Sequence, residues 1–192
     1  CAQVYSNGSF TKVFPMPDKT GARVEQTLTD FADDVGIPDT LVMDLAPEQA
    51  GKHTDMQKEA RRLRVRIRFT EKGRSEQNHT AEGEIGQLKR RWKHRMTTRN
   101  VPRCLWDYGL VHEAEVLSIL ARGKDQVPGL EKVLGQTIDI SEYLDFGIWD
   151  LVWYWDQSKT SDMSDEQKKL GRWLGIAHRV GSEMTYWILT EH

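Results

Sequence analysis

Thr40-Leu41-Val42-Met43-Asp44 decides how this chain reads: a short apolar run of strand character that ends on a carboxylate. A further 37 residues separate Asp44 from Glu82, which closes Gln77-Asn78-His79-Thr80-Ala81-Glu82 and opens a Lys/Arg-rich helical stretch. A carboxylate at a strand end and a second at the start of a following helix supply the oxygen donors that divalent cations take. The helix behind them offers cations to a phosphate backbone. The pattern points to phosphoryl chemistry on DNA.

Working outward, Ala2-Gln3-Val4-Tyr5 and Phe10-Thr11-Lys12-Val13-Phe14 read as two strands around the turn Ser6-Asn7-Gly8-Ser9, and Pro15 and Pro17 end the second. From Thr20 to Val35 the spacing of Val24, Leu28 and Phe31 predicts a helix capped by Thr20 and stopped by Gly36 and Pro38. Leu41-Val42-Met43 is a short buried strand, a helix runs from about Lys52 to Leu63, and Val65, Ile67 and Phe69 alternate with arginines in a half-buried strand. Strands alternating with helices make an α/β layer. A polar loop from Thr70 to Gln77 leads to a helix with Ala81, Ile85, Leu88, Trp92 and Met96 on its apolar stripe, and Glu82, Gly86, Lys89 and Lys93 on the stripe beside it. Pro102 starts the next helix, with Leu105, Trp106, Leu110, Ala114, Leu117 and Leu120 facing inward.

The last third is rich in tryptophan. Trp149, Leu151, Trp153 and Trp155 alternate, and a turn at Gly181-Ser182 joins Arg172–Val180 to Met184–Leu189. Several short strands in so few residues suggest a small antiparallel barrel, with the tryptophans as its core; the other reading makes them stacking platforms for nucleic acid.

The 192 residues allow one domain plus a small second one. The formal net charge of −2 hides a segregation: Lys58–Arg103 carries 15 Lys/Arg against 5 Asp/Glu, so the remainder carries −12. Two cysteines, Cys1 and Cys104, give no disulfide framework, and with six scattered histidines they match no zinc spacing. No apolar stretch has the length of a membrane span, and the sequence reads as a soluble intracellular protein with no membrane partner. The chain opens at Cys1 directly in strand-like sequence, the expectation for a piece of a longer polypeptide.

Asp44, the Thr70-Glu71 loop leading to Gln77-Asn78-x-x-Ala81-Glu82, and the cationic helix after it resemble the catalytic core of copia-type retrotransposon integrases. Downstream, Pro128-x-Leu130-Glu131-x-x-x-Gly135, Phe146-Gly147 and Lys169-Leu170-Gly171-Arg172-Trp173-Leu174-Gly175 resemble the region following that core in copia-type polyproteins. The resemblance implies a ribonuclease H-like mixed sheet flanked by helices in residues 1–122, without its first strand, then a connector in 123–145 and a small Src-homology-3-like antiparallel β-barrel in 146–192. It implies a triad of Asp, Asp and Glu, with Asp44 as the second acid and Glu82 as the third. The first acid is expected on a strand ahead of the hairpin.

By the same resemblance Asp44 and Glu82 hold Mg²⁺ or Mn²⁺, and Gln77, Asn78, Lys89 and Lys93 contact DNA. The complete protein acts as a homo-oligomer, in the nucleus when on DNA and otherwise in a cytoplasmic particle. Its metals activate water to process the element's DNA ends, then the 3′-hydroxyl for attack on target DNA, whereas this chain alone is expected to be inactive. Leu45 stands where the family usually has Asn, and Lys72-Gly73-Arg74-Ser75-Glu76 lacks the family's loop proline, changes that fit a divergent or decaying copy. A non-catalytic nucleic-acid-binding or scaffold relic of such an element is the alternative. Glu84 competes with Glu82 for the third acid; near Arg91 and Arg95, it reads as a helix-surface ion-pair partner.

Overall fold

The computed structural model describes residues 1–44, 54–70, 79–122, 125–155, 168–181 and 184–191. β1 (Ala2–Ser6) and β2 (Thr11–Pro15) pair antiparallel about the expected turn. Asn7 Oδ1 accepts from the backbone N–H groups of Ser9 (3.1 Å) and Phe10 (2.8 Å), and Gly8 takes the φ of +89° that the reversal demands. Strand alternation then sends Tyr5 and Phe14 to one face of the hairpin, and Ala2, Val4 and Val13 to the other.

On the first face lie α1 (Gly21–Asp34), burying Val24, Leu28 and Phe31 as their spacing predicts, and a parallel β-α-β unit. That unit comprises β3 (Thr40–Met43), α2 (Asp55–Arg62) and β4 (Arg66–Phe69), in register from Thr40↔Arg66 to Met43↔Phe69. Tyr5, Phe10, Val24, Leu28, Met43, Met56 and Ala60 form their common core. Thr20 occupies the N-cap position of α1 without making a side-chain cap bond; its hydroxyl donates to Asp18 Oδ1 instead (2.8 Å).

Two helices cover the second face, α3 (His79–Arg99) and α4 (Trp106–Ile119), meeting the hairpin through Val13, Leu88, Ala114 and Leu117. Gly109 lets them approach, since a Cβ there would stand 2.2 Å from the ring of Trp92. Helices on both faces of a thin β layer give the α/β architecture expected of the sequence. Among the described residues, however, the hairpin and the parallel pair are two separate two-stranded sheets around one core. Cys1 and Met16 exchange backbone hydrogen bonds (2.7 and 3.0 Å), which turns the backbone groups of Gln3 and Tyr5 toward β2 and those of Ala2, Val4 and Ser6 toward the opposite edge.

After α5 (Gly129–Leu134) the tail forms an antiparallel sheet of β5 (Leu151–Trp155), β6 (Lys168–Ile176) and β7 (Tyr186–Thr190), with a register shift between Trp173 and Gly175. Its inner face packs Ile148, Val152, Trp173 and Ile176 against Tyr108 of α4. The tryptophan reading needs correction here: Trp173 is fully buried, whereas Trp153 and Trp155 are 65% and 56% exposed. Val152 points inward, so period-two alternation puts Leu151, Trp153 and Trp155 outside.

The tail is fastened to the core by His112 edge-on to Trp173 (5.2 Å between centroids), by His178 to Glu115 (2.7 Å) and by Arg179 to Asp34 (2.6 Å). The Glu115 carboxylate holds the His178 imidazolium above its ordinary pKa, and burial pushes that of His112 down.

Candidate nucleic-acid interface

Asp44 follows the last residue of β3, solvent-exposed, and accepts a hydrogen bond from the Thr70 hydroxyl (3.1 Å) just past β4. Parallel pairing of β3 with β4 therefore positions both partners at the carboxyl end of the two strands. Glu82 is exposed in the first turn of α3, where the helix dipole favours an anion. That turn lies against the hairpin, with Thr80 Cγ2 3.0 Å from where a Gly8 Cβ would be. Gln77 and Asn78 fall outside the described residues.

Carboxylate oxygens are the donors Mg²⁺ and Mn²⁺ prefer. Among the described residues, though, no group of three His, Cys, Asp or Glu side chains comes together.

The cations of α3 divide into two sets. Arg91 Nε donates to Glu113 (2.8 Å), and Arg95 bonds the same carboxylate, which is wholly buried on α4. Arg99 pairs with Asp150. Lys89 and Lys93, one helical turn apart, are exposed and have no hydrogen-bond or ion-pair partner among the described residues, and Arg90 beside them is exposed too. The second set is the part of α3 available to phosphates. Sequence spacing puts Lys89 and Lys93 on the stripe of Glu82, and Arg91 and Arg95 near Glu84, but it could not name the arginines' partner, because Glu113 lies on another helix.

Glu84 is corrected in the same way. It is 5% exposed, not on the helix surface, and its partners are Arg122 (3.2 Å) and the Thr11 hydroxyl (3.1 Å) rather than Arg91 or Arg95. Arg122 also donates to Ser9 O (2.8 Å), so Glu84 ties α3 to the hairpin and to the segment after α4. A buried carboxylate committed to an arginine and a hydroxyl is poorly placed to take a metal.

A polar groove of about 410 Å³ continues from the C-terminal end of α3, lined by Arg99, Asn100, Trp149, Asp150, Leu151 and Arg172. Trp149 adopts a left-handed backbone (φ 71°) and its ring lies under the Arg172 guanidinium, 5.3 Å from the centroid. The sequence signal was there in part, since Arg172 interrupts the apolar run from Leu170 to Ile176. No helix among the described residues is long and apolar enough to cross a membrane.

No family model and no curated protein matches the sequence. The fold, in contrast, matches solved structures. A chain of the simian T-cell lymphotropic virus intasome, in complex with PP2A regulatory subunit B56 gamma, aligns with a TM-score of 0.56 at 15% identity, over 98% of this chain and 68% of that one. The catalytic core domain of BIV integrase aligns with a TM-score of 0.53 at 14% identity, over 70% of this chain and 84% of that one. Helices on both faces of a small β layer, followed by a tail sheet docked on α4, thus constitute an integrase-like fold.

Proposed function

We propose that this chain is the DNA-handling part of an integrase, of the copia retrotransposon type, and that α3 is its principal contact with the phosphate backbone. The observation that carries the reading is the exposed Lys89–Arg90–Lys93 surface on the helix whose first turn holds Glu82, within a fold shared with retroviral integrase structures. Lysines without a partner among the described residues gain the most from phosphate contact, because they exchange solvent counterions rather than an existing ion pair.

In this reading Asp44 and Glu82 are the second and third acids of the triad, Gln77 and Asn78 approach the DNA end, and a further acid completes the Mg²⁺ or Mn²⁺ site. The domain plan is a ribonuclease H-like core in 1–122, a connector in 123–145 and a Src-homology-3-like barrel in 146–192. The outward backbone edge at Ala2, Val4 and Ser6 supports a core strand between the hairpin and the parallel pair, supplied by an upstream segment that also carries the first acid. The complete protein would be a homo-oligomer working in the nucleus on DNA, with processing and strand transfer as its reactions.

The test is duplex DNA binding by anisotropy across a salt series. With about four phosphates neutralised, log affinity falls against log salt with a slope near −4, and Lys89→Ala with Lys93→Ala flattens it by about two units. An affinity insensitive to salt or to the double variant overturns the reading.

A further inference from the structure

A cavity of about 180 Å³ lies where the tail meets the core. Pro15 at the end of β2 and Tyr108, Val111 and His112 of α4 form one side, and Leu174, Ile176 and Trp187 of the tail sheet form the other. Gly175 belongs to the tail side and has a φ of +147°; a Cβ there would meet nothing within 4 Å, so the wall is open at that point rather than packed. A cavity of about 150 Å³ accepts benzene, so this one has room for one flat ring or two small fused rings.

Its polar groups choose the occupant. Asp107 Oδ1 and His112 Nδ1 are buried and have no hydrogen-bond partner among the described residues, and His112 as a whole is only 4% exposed. A buried polar atom left unpaired is costly, and native folds keep few of them. Burial keeps the His112 imidazole neutral, so its unpaired nitrogen accepts or donates according to tautomer. Glu115, also in the wall, is already taken by His178 (2.7 Å), and no lysine or arginine is among the described lining residues. The unpaired set is therefore one carboxylate oxygen and one neutral ring nitrogen, which disfavours an anion and calls for a hydrogen-bond donor. An aliphatic chain would leave both atoms unpaired, and an ordered water would serve them while leaving the aliphatic and aromatic walls without contacts. A flat ring with a polar edge does both. We propose that the cavity binds a nitrogen heterocycle of nucleobase size, its amino or N–H edge donating to Asp107 and reaching His112, its ring against the apolar wall. The occupant touches α4 and the tail sheet together, so it holds the tail on the core. The same ring chemistry comes from a free base or from an unpaired base of a DNA strand, and the site does not depend on DNA binding through α3.

The experiment titrates residues 1–192 with adenine at about pH 8, where an imidazole of ordinary or lowered pKa is neutral. It is read by thermal unfolding and by the ring signals of His112 in a proton–nitrogen spectrum, identified by their absence from His112→Gln. Expected are a Kd of about 0.1–1 mM, ordinary for so small a ligand, and a Tm raised by about 2–4 °C at five times Kd. The His112 signals should shift and saturate with the same Kd. Toluene, a ring with no polar edge, should bind at least tenfold more weakly. Asp107→Ala should weaken adenine binding at least tenfold while melting within about 2 °C of wild type, because Oδ1 has no hydrogen bond to lose. Val111→Phe, which fills the cavity, should abolish binding. Absence of a saturable shift, toluene bound as tightly as adenine, or a Kd that Asp107→Ala leaves unchanged overturns the inference and leaves ordered water as the occupant. Displacement of adenine by oligodeoxyadenylate would support the site and assign its ring to a DNA strand, and adenine bound without such displacement would support it for the free base.

Discussion

Replacing Trp173 by Ala should be among the most damaging single changes in this protein, and replacing Trp155 among the mildest of its aromatic changes. Trp173 is fully buried, packed with Ile148, Val152 and Ile176, edge-on to His112 at 5.2 Å and 6.0 Å from the ring of Tyr186. Truncating such an indole removes its transfer free energy and leaves a cavity, at a cost of about 3–5 kcal/mol. For a chain of 192 residues each kcal/mol lowers Tm by about 2–4 °C, so the fall should be about 6–20 °C. Trp155 is 56% exposed on the opposite face, and its truncation should cost about 1 kcal/mol or less. The assay is far-UV circular dichroism melting in dilute solution, where self-association does not add to stability. Equal losses for the two variants would mean that the faces of the tail sheet are reversed.

Three further outcomes are expected. Glu113→Ala should destabilise by about 1–3 kcal/mol in chemical denaturation, because it removes the shared partner of the half-buried Arg91 and Arg95; a change below about 0.5 kcal/mol would show that solvent replaces the carboxylate. The raised pKa of His178, which faces Glu115 with Lys12 and Glu142 nearby, contributes stability that is full below the unfolded value near 6.5 and is lost as pH rises through the folded value. His178→Asn should erase that alkaline-side loss, worth under about 1 kcal/mol for a half-exposed pair, and a pH profile identical to wild type would refute the linkage. The lowered pKa of His112 acts in the opposite sense, present above 6.5 and lost as pH falls through the folded value, so His112→Asn should flatten the acid side of the profile.

The elements most legible in the sequence were those that local chemistry specifies. Asn7-Gly8 fixed the hairpin, the spacing of Val24, Leu28 and Phe31 fixed α1, and the apolar run ending at Asp44 placed β3, although only Met43 of the strand expected to be buried is so and Val42 is exposed. Long-range partners were not legible. Nothing near Glu84 in sequence announces Arg122, and nothing near Arg91 and Arg95 announces Glu113, so the true partners of these charges come only from the packing of α3 on α4 and the hairpin. The tail failed for a different reason. In Leu151–Trp155 every residue is large and apolar or aromatic, so period two gives no sign of which face is inward; only the docking of Val152 and Trp173 on α4 decides it. Of the proposed site, the positions of Asp44 and Glu82 followed from their elements, whereas the hydrogen bond from Thr70 depended on the parallel pairing of β3 with β4.

The most direct test of the integrase reading is strand transfer by the chain extended at its N-terminus with the upstream segment of its own gene, assayed with Mg²⁺ and a labelled DNA end. The reading predicts joined product from the extended chain, none from residues 1–192 alone, and none from extended Asp44→Asn or Glu82→Gln, with duplex binding retained in both variants. Joining that persists in either variant would contradict the assignment of these carboxylates, and an extended chain that binds DNA but never joins it would favour the non-catalytic alternative.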